Sequence, residues 1–156
     1  MNDTKLPMRS GVGIILLNNE NQVFVGKRKD NPGDKWQMPQ GGVEDGEDFV
    51  TAMRRELYEE TNIKNIKILK EIKQMYEYEL PKNLIGIIWK GKFRGQKQKW
   101  FIIRFIGDDN EINVNTDCPE FIEWKWIEMD SLPSIVVDFK KDVYEKVLLE
   151  LKKYIN

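Results

Sequence analysis

The chain has 156 residues, 40% of them hydrophobic and 11% aromatic, which is enough apolar material for one domain with a single core spanning 1–156. A charged fraction of 33% excludes a chain too apolar for water, and the net charge of −1 excludes nonspecific attraction of nucleic acid by the whole-molecule field. With no histidine and one cysteine, Cys118, the sequence excludes Ser-His-Asp and Cys-His catalysis, histidine- or cysteine-rich zinc sites and an intrachain disulfide.

Residues 1–10 hold no apolar stretch of the kind a secretory leader needs, and nothing reaches membrane-spanning length. A reducing, cytoplasmic setting with neither a membrane partner nor a disulfide-linked one is therefore expected. Gly11 to Leu17 and Gln22 to Lys27 read as strands joined by the turn-forming Asn18-Asn19-Glu20-Asn21. Asp30 to Asp34 reads as a loop, Lys35 to Met38 as a short extended piece, and Gln40-Gly41-Gly42 as a break in regular structure. Asp45 is the expected N-cap of a helix whose first turn is acidic at Glu47 and Asp48. That helix runs to about Thr61 and closes on Asn62 in a left-handed conformation. Extended stretches follow near Ile66–Glu79, Ile85–Phe93, Lys97–Ile106 and Phe121–Ile127. A last helix covers about Asp138 to Tyr154, where Phe139, Val143, Val147, Leu151 and Tyr154 recur at helical spacing. Strands grouped around two helices, without regular βαβ alternation, indicate an α+β fold with a mixed-sheet sandwich.

On the first helix Phe49, Ala52 and Met53 form an apolar stripe which, carried one turn onward, runs into Glu56 and Glu60, with Glu59 beside them. Carboxylates thus occupy positions where the pattern calls for burial. Like charges at i,i+4 cost roughly 0.2–0.5 kcal/mol even when exposed, and partial burial adds to this. The counter-charge is either Arg54 and Arg55 on a solvated face, or a divalent cation. With no histidine available, carboxylates, lysines, arginines, tyrosines or hydroxyls must carry any chemistry, which favours oxygen-ligated Mg²⁺ or Mn²⁺. Such ions suit substrates whose phosphate oxygens complete the ligand shell, and carbonyls of Gln40-Gly41-Gly42 are available as further ligands.

The pattern Gly41-x5-Glu47-x7-Arg55-Glu56-Leu57-x-Glu59-Glu60-x-Asn62-Ile63 resembles the Nudix box, departing from it only at Asn62, where the box has glycine. Asn tolerates the left-handed conformation, so the turn should survive. The resemblance implies an α/β/α sandwich with a central mixed β-sheet and hydrolysis of phosphoanhydride bonds. It assigns Glu56, Glu59 and Glu60 to metal binding and catalysis, helped by the Gly41 carbonyl, with Glu47 and Arg55 as a supporting ion pair. The general base stays open between Glu56 and a later residue.

Trp36-Gln37-Met38-Pro39-Gln40-Gly41-Gly42, Gly95-Gln96-Lys97-Gln98-Lys99-Trp100-Phe101, Pro119-Glu120-Phe121 with Trp124-Lys125-Trp126, and Phe139-Lys140-Lys141-Asp142-Val143-Tyr144 look like a Nudix branch of RNA pyrophosphohydrolases and dinucleoside polyphosphate hydrolases. In that branch the position of Glu120 supplies another metal-binding or base carboxylate. Strand alternation puts Lys97 and Lys99 on one face with Phe101 and Ile103, where the lysines either protect an edge or meet phosphates. The resemblance favours phosphates. Arg9, Arg28, Gln40 and Lys140 are candidate substrate contacts, and Tyr78 and Phe139 candidate ring faces for a base; the other reading of the cations and the rings is an ordinary surface cation or core aromatic. The loop from Lys29 to Asp34 departs from the branch by about two extra residues. The expected activity is Mg²⁺-dependent removal of pyrophosphate from 5′-triphosphorylated RNA, initiating mRNA decay. The alternatives are a dinucleoside polyphosphate hydrolase with the same metal site and a noncatalytic nucleotide-binding module.

Overall fold

Strand alternation along two long strands sorts the core into two layers. The computed structural model of the chain describes residues 6–29 and 33–155; most of the expected loop from Asp30 to Asp34 lies outside these. Strand β1 (Met8–Leu17) runs parallel to β7 (Gly95–Phe105) and antiparallel to β2 (Val23–Arg28) and β4 (Gln40–Gly42). Strand β2 also pairs with β3 (Trp36–Gln37) and β8 (Phe121–Ile127), while β7 pairs with β5 (Ile66–Glu71) and β6 (Tyr76–Glu79), all antiparallel. The result is one mixed eight-stranded sheet.

Because side chains alternate, Ile15, Leu17, Trp100 and Ile102 face one way and meet Val143, Val147 and Leu151 of the C-terminal helix. Val12, Ile14, Leu16, Phe101 and Ile103 face the other way and meet Ala52, Met53 and Leu57 of α1 (Phe49–Thr61). A short helix, α2 (Leu132–Ile135), precedes the C-terminal helix α3 (Lys141–Ile155). The sheet thus lies between α1 and α3, the α+β sandwich the sequence implied. Among the described residues no helix is long and apolar enough to cross a membrane.

Four elements differ from the sequence expectation, each for a local reason. Gln40–Gly42 forms strand β4 instead of a break, because Gly11 opposes Gly42 and Gly41 opposes Val12 in a register that needs little side-chain room. The N-cap of α1 is Asp48, not Asp45: its carboxylate accepts the Thr51 N–H at 2.7 Å, while Glu47 is held in the preceding loop by the Glu44 N–H and by Arg55. The stretch Ile66–Glu79 divides into β5 and β6, both paired to β7. Ile85–Phe93 is not a strand; it turns through Gly86 and Gly91 at positive φ, with a 3₁₀ turn over Ile88–Gly91. Its apolar residues Ile85, Ile88 and Trp89, with Leu84 just before them, pack onto the α3-side core, so their hydrophobicity reports packing and not β pairing. Asn62 closes α1 at φ 65, as its tolerance of that region predicts.

Candidate active site

The apolar stripe of α1 ends in a carboxylate. Ala52, Met53 and Leu57 are fully buried, and Glu60, next on the same face, is only 4% exposed. Its Oε2 has no hydrogen-bond partner among the described residues. Burial pushes its carboxyl well above the ordinary range, and the neighbouring Glu56 and Glu120 push it further, against the pull of Arg28 and Lys140. Glu56, partly buried, is likewise raised by burial, although Arg55 opposes the shift.

Arg55 is the hub of this end of the helix. Its Nε and Nη2 donate to the two oxygens of Glu47 at 2.8 and 2.9 Å, a bidentate pair. Nη2 also donates to the Gly42 carbonyl at 2.8 Å, which ties α1 to β4. Nη1 donates to Glu56 at 2.8 Å and to Glu59 at 3.3 Å. The Arg55 hydrogen bond, with help from the Glu44 N–H, lowers the Glu47 carboxyl to about 2. Glu47 and Arg55 are thus in contact, while Glu56 and Glu59 are turned onto the arginine. Accordingly, no three acidic, histidine or cysteine side chains among the described residues are already gathered around one point as a closed ion shell.

Glu56, Glu59, Glu60 and Glu120 nevertheless line one cavity of about 600 Å³, between the C-terminal half of α1 and residues 113–120. Gly41 abuts it through Glu56: a Cβ on Gly41 would lie 2.0 Å from the Glu56 Cδ. Glu120, exposed at the loop before β8, sits 3.7 Å from Arg28. Cys118 is exposed on the same loop.

The other expected substrate contacts separate into two sets. Gln40, Tyr78, Phe139 and Lys140 come together on the α3 side of the sheet. The Tyr78 and Phe139 rings lie 5.6 Å apart, and the buried Lys140 Nζ lies 5.4 Å from the Tyr78 ring and 3.2 Å from Gln37 Oε1. Gln40 Nε2 lies 3.4 Å from the Tyr78 hydroxyl, which donates to Gln96 Oε1 at 3.2 Å. Gln98 Nε2 donates to both Gln40 and Gln96, closing a buried ring of four polar side chains. Lys97 and Lys99 are not in this set. Alternation along β7 turns them to the opposite face, where Lys99 Nζ donates to the Lys73 carbonyl at 3.1 Å and pairs with Glu71 at 3.6 Å. The structure therefore does not bring the two lysines to the polar cluster, to which β7 contributes Gln96 and Gln98. The same alternation carried the signal for them, since both glutamines share parity with the core residue Trp100.

Arg9, half-buried at the start of β1, lies against Gly42 and 5.1 Å from the Trp89 ring centroid. Trp89 escaped the sequence reading because it sat inside the stretch expected to be a strand.

Set beside known proteins, the chain matches the NUDIX domain over residues 7–147. It is 58% identical to an RNA pyrophosphohydrolase of Pelagibacter ubique, covering 99% of this chain and 98% of that protein. It is 49% identical to an RNA pyrophosphohydrolase of Rhodospirillum rubrum, covering 94% of this chain and 88% of that one. Among solved structures, the E. coli dihydroneopterin triphosphate pyrophosphohydrolase superposes with a TM-score of 0.72 at 20% identity over 94% of this chain and 99% of the other, a likeness of fold. With the box residues on α1 and β4 and a family match over nearly the whole chain, this protein belongs to the Nudix family.

Proposed function

We propose that the chain is a metal-dependent hydrolase that removes pyrophosphate from the 5′-triphosphate end of RNA, leaving a 5′-monophosphate and so opening the way to mRNA decay. The observation that carries this reading is a buried carboxylate oxygen of Glu60, unpartnered among the described residues, on a side chain that lines one cavity with Glu56, Glu59 and Glu120. The relatives that match the chain over almost its full length are named for this activity.

The residues fit a hard divalent cation. An orphaned carboxylate oxygen, three further carboxylates on one cavity and a glycine backbone without a Cβ in the way form an all-oxygen donor set, suited to Mg²⁺ and also to Mn²⁺. Glu56, Glu59, Glu60 and Glu120, with the Gly41 carbonyl, would hold it. Once bound, the cation would neutralise charge on the phosphate oxygens and make water a better nucleophile. As ligands, Glu56 and Glu59 would share their carboxylates between the cation and Arg55, whose other hydrogen bonds go to Glu47 and the Gly42 carbonyl. A carboxylate of the cluster, Glu56 or Glu120, takes the proton of the attacking water.

Arg9, Arg28 and Lys140 supply positive charge for the polyphosphate, Gln40 a donor, and Tyr78 with Phe139 a stacking surface for a base. Glu47 and Arg55 hold loop to helix. Dinucleoside tetra- or pentaphosphates present the same phosphates and the same bases to these groups, and are the second substrate class to test. In a purified preparation, Glu56→Gln and Glu120→Gln are expected to lower kcat by roughly 10²–10⁴-fold if each acts on the proton or the cation. Unchanged turnover in both would overturn the carboxylate account.

A further inference from the structure

Two independent surfaces hold the Arg9 guanidinium. A Cβ built on Gly42 would come within 2.3 Å of Arg9 Nη2 and 2.6 Å of Cζ, so the side chain lies directly on glycine backbone. The indole of Trp89, with its ring centroid 5.1 Å from Cζ, provides the second surface, within cation–π range. Burial opposes the charge on Arg9 while Glu56 favours it, yet no ion pair to a described carboxylate closes on the guanidinium.

The loop carrying Trp89 is built at a conformational cost. Trp89 (φ 55, ψ 37) and Lys90 (φ 59, ψ 25) are consecutive left-handed residues with bulky side chains. Such residues persist only where the surroundings impose the conformation. Here Trp89 packs on the α3-side core and takes the ring of Phe93 edge-on at 6.2 Å. The indole is therefore a fixed surface.

We propose that Trp89 is a positioning residue that holds Arg9 in place for a phosphate of the substrate's 5′ polyphosphate. The inference rests on reading Arg9 as a phosphate contact of the proposed site. The chemistry explains why an indole suits the task. A carboxylate partner would occupy guanidinium donors and cancel the charge that phosphate must meet. An aromatic face instead attracts the cation through its π-system and leaves the in-plane N–H donors open for an oxyanion. Freezing the arginine in the free protein also removes ordering that binding would otherwise require.

The test is steady-state kinetics on a 5′-triphosphorylated RNA oligonucleotide with Mg²⁺, comparing the wild type, W89A, W89F, R9A and the R9A/W89A double variant. W89A is expected to raise KM about 5- to 20-fold with kcat within about 2-fold of wild type, and W89F, which keeps a ring face, to recover most of the loss. In the R9A background, W89A is expected to change KM less than about 2-fold, because its effect runs through the missing arginine. The proposal is overturned if W89F is as impaired as W89A, if W89A leaves KM unchanged, or if its full effect survives without Arg9. If R9A alone leaves KM unchanged, Arg9 is no phosphate contact and the proposal falls with it. If the wild type ignores RNA but cleaves diadenosine tetraphosphate, the RNA reading fails, and the same five-way comparison on the dinucleotide still decides the role of Trp89.

Discussion

Glu60 is 4% exposed with one oxygen unpartnered among the described residues, so without a cation the folded chain carries a carboxyl that resists ionisation. A carboxyl raised in the folded state costs stability above its unfolded pKa, because the unfolded chain releases the proton more readily. Glu60→Gln should therefore raise the unfolding free energy of the metal-free protein at neutral pH, by about 1–3 kcal/mol. The same change should abolish the rise in Tm that Mg²⁺ gives the wild type. Thermal unfolding with EDTA and with Mg²⁺ checks both, and a wild-type Tm indifferent to Mg²⁺ would count against the proposed ligands. Glu47 shifts the other way. Its carboxyl is lowered to about 2 by Arg55, so the stability it contributes is complete above its ordinary value near 4.5 and is lost as pH falls toward 2. Glu47→Gln should flatten the fall in urea midpoint between pH 5 and pH 2; an unaltered profile would mean the pair contributes nothing to acid stability. Glu56 and Glu60 were legible as an inward-facing pair because they continue an apolar stripe, whereas the separate parts of Glu47, Arg55 and Glu59 came only from the resemblance to the box. Lys97 and Lys99 share a face with Phe101 and Ile103, as alternation predicts, but period 2 does not say which neighbours that face meets, and it turns them away from the Gln40–Tyr78 cluster. Arg9 was named, and its Trp89 partner was hidden by a loop that only the folded chain shows.

Among the elements, β4 matters most for its size. Three residues with two glycines read as a break, yet their register against β1 and the Arg55 hydrogen bond to the Gly42 carbonyl place Gly41 against Glu56. Sequence rules treat glycine pairs as turns, whereas here they mark the close approach of strand and helix. The segment leading into β4 is fixed from the other side of the sheet: the buried Met38 N–H donates to the Tyr144 hydroxyl of α3 at 2.7 Å. Tyr144→Phe should cost about 1–3 kcal/mol, measured by urea unfolding, because it leaves a buried N–H without its acceptor. A loss within about 0.3 kcal/mol would show that the amide finds another partner. The Ile85–Phe93 stretch failed as a strand because hydrophobicity alone cannot distinguish β pairing from a loop packed on a core, and the positive φ at Gly86 and Gly91 favours the loop.

For the whole molecule, the α+β class followed from two amphipathic helices among strands, and the absence of histidine directed the chemistry to oxygen-ligated cations. Long-range pairing was not legible: nothing in the local pattern sets β1 parallel to β7 or brings residues 113–120 over the end of α1. That pairing brings together both parts of the proposed site, carboxylates on the α1 side and the Gln40–Tyr78–Gln96–Gln98 ring on the α3 side. The division suits a substrate with a polyphosphate at one end and a base at the other. The most direct test uses limiting enzyme on equal amounts of 5′-triphosphorylated RNA and diadenosine tetraphosphate with Mg²⁺, wild type beside Glu60→Gln, with 5′-monophosphorylated RNA and pyrophosphate quantified. The account predicts that the wild type converts the RNA and releases pyrophosphate, that EDTA stops it, and that Glu60→Gln is slower by at least about 100-fold. Intact RNA while the dinucleotide disappears, or an undiminished rate for Glu60→Gln, would contradict it.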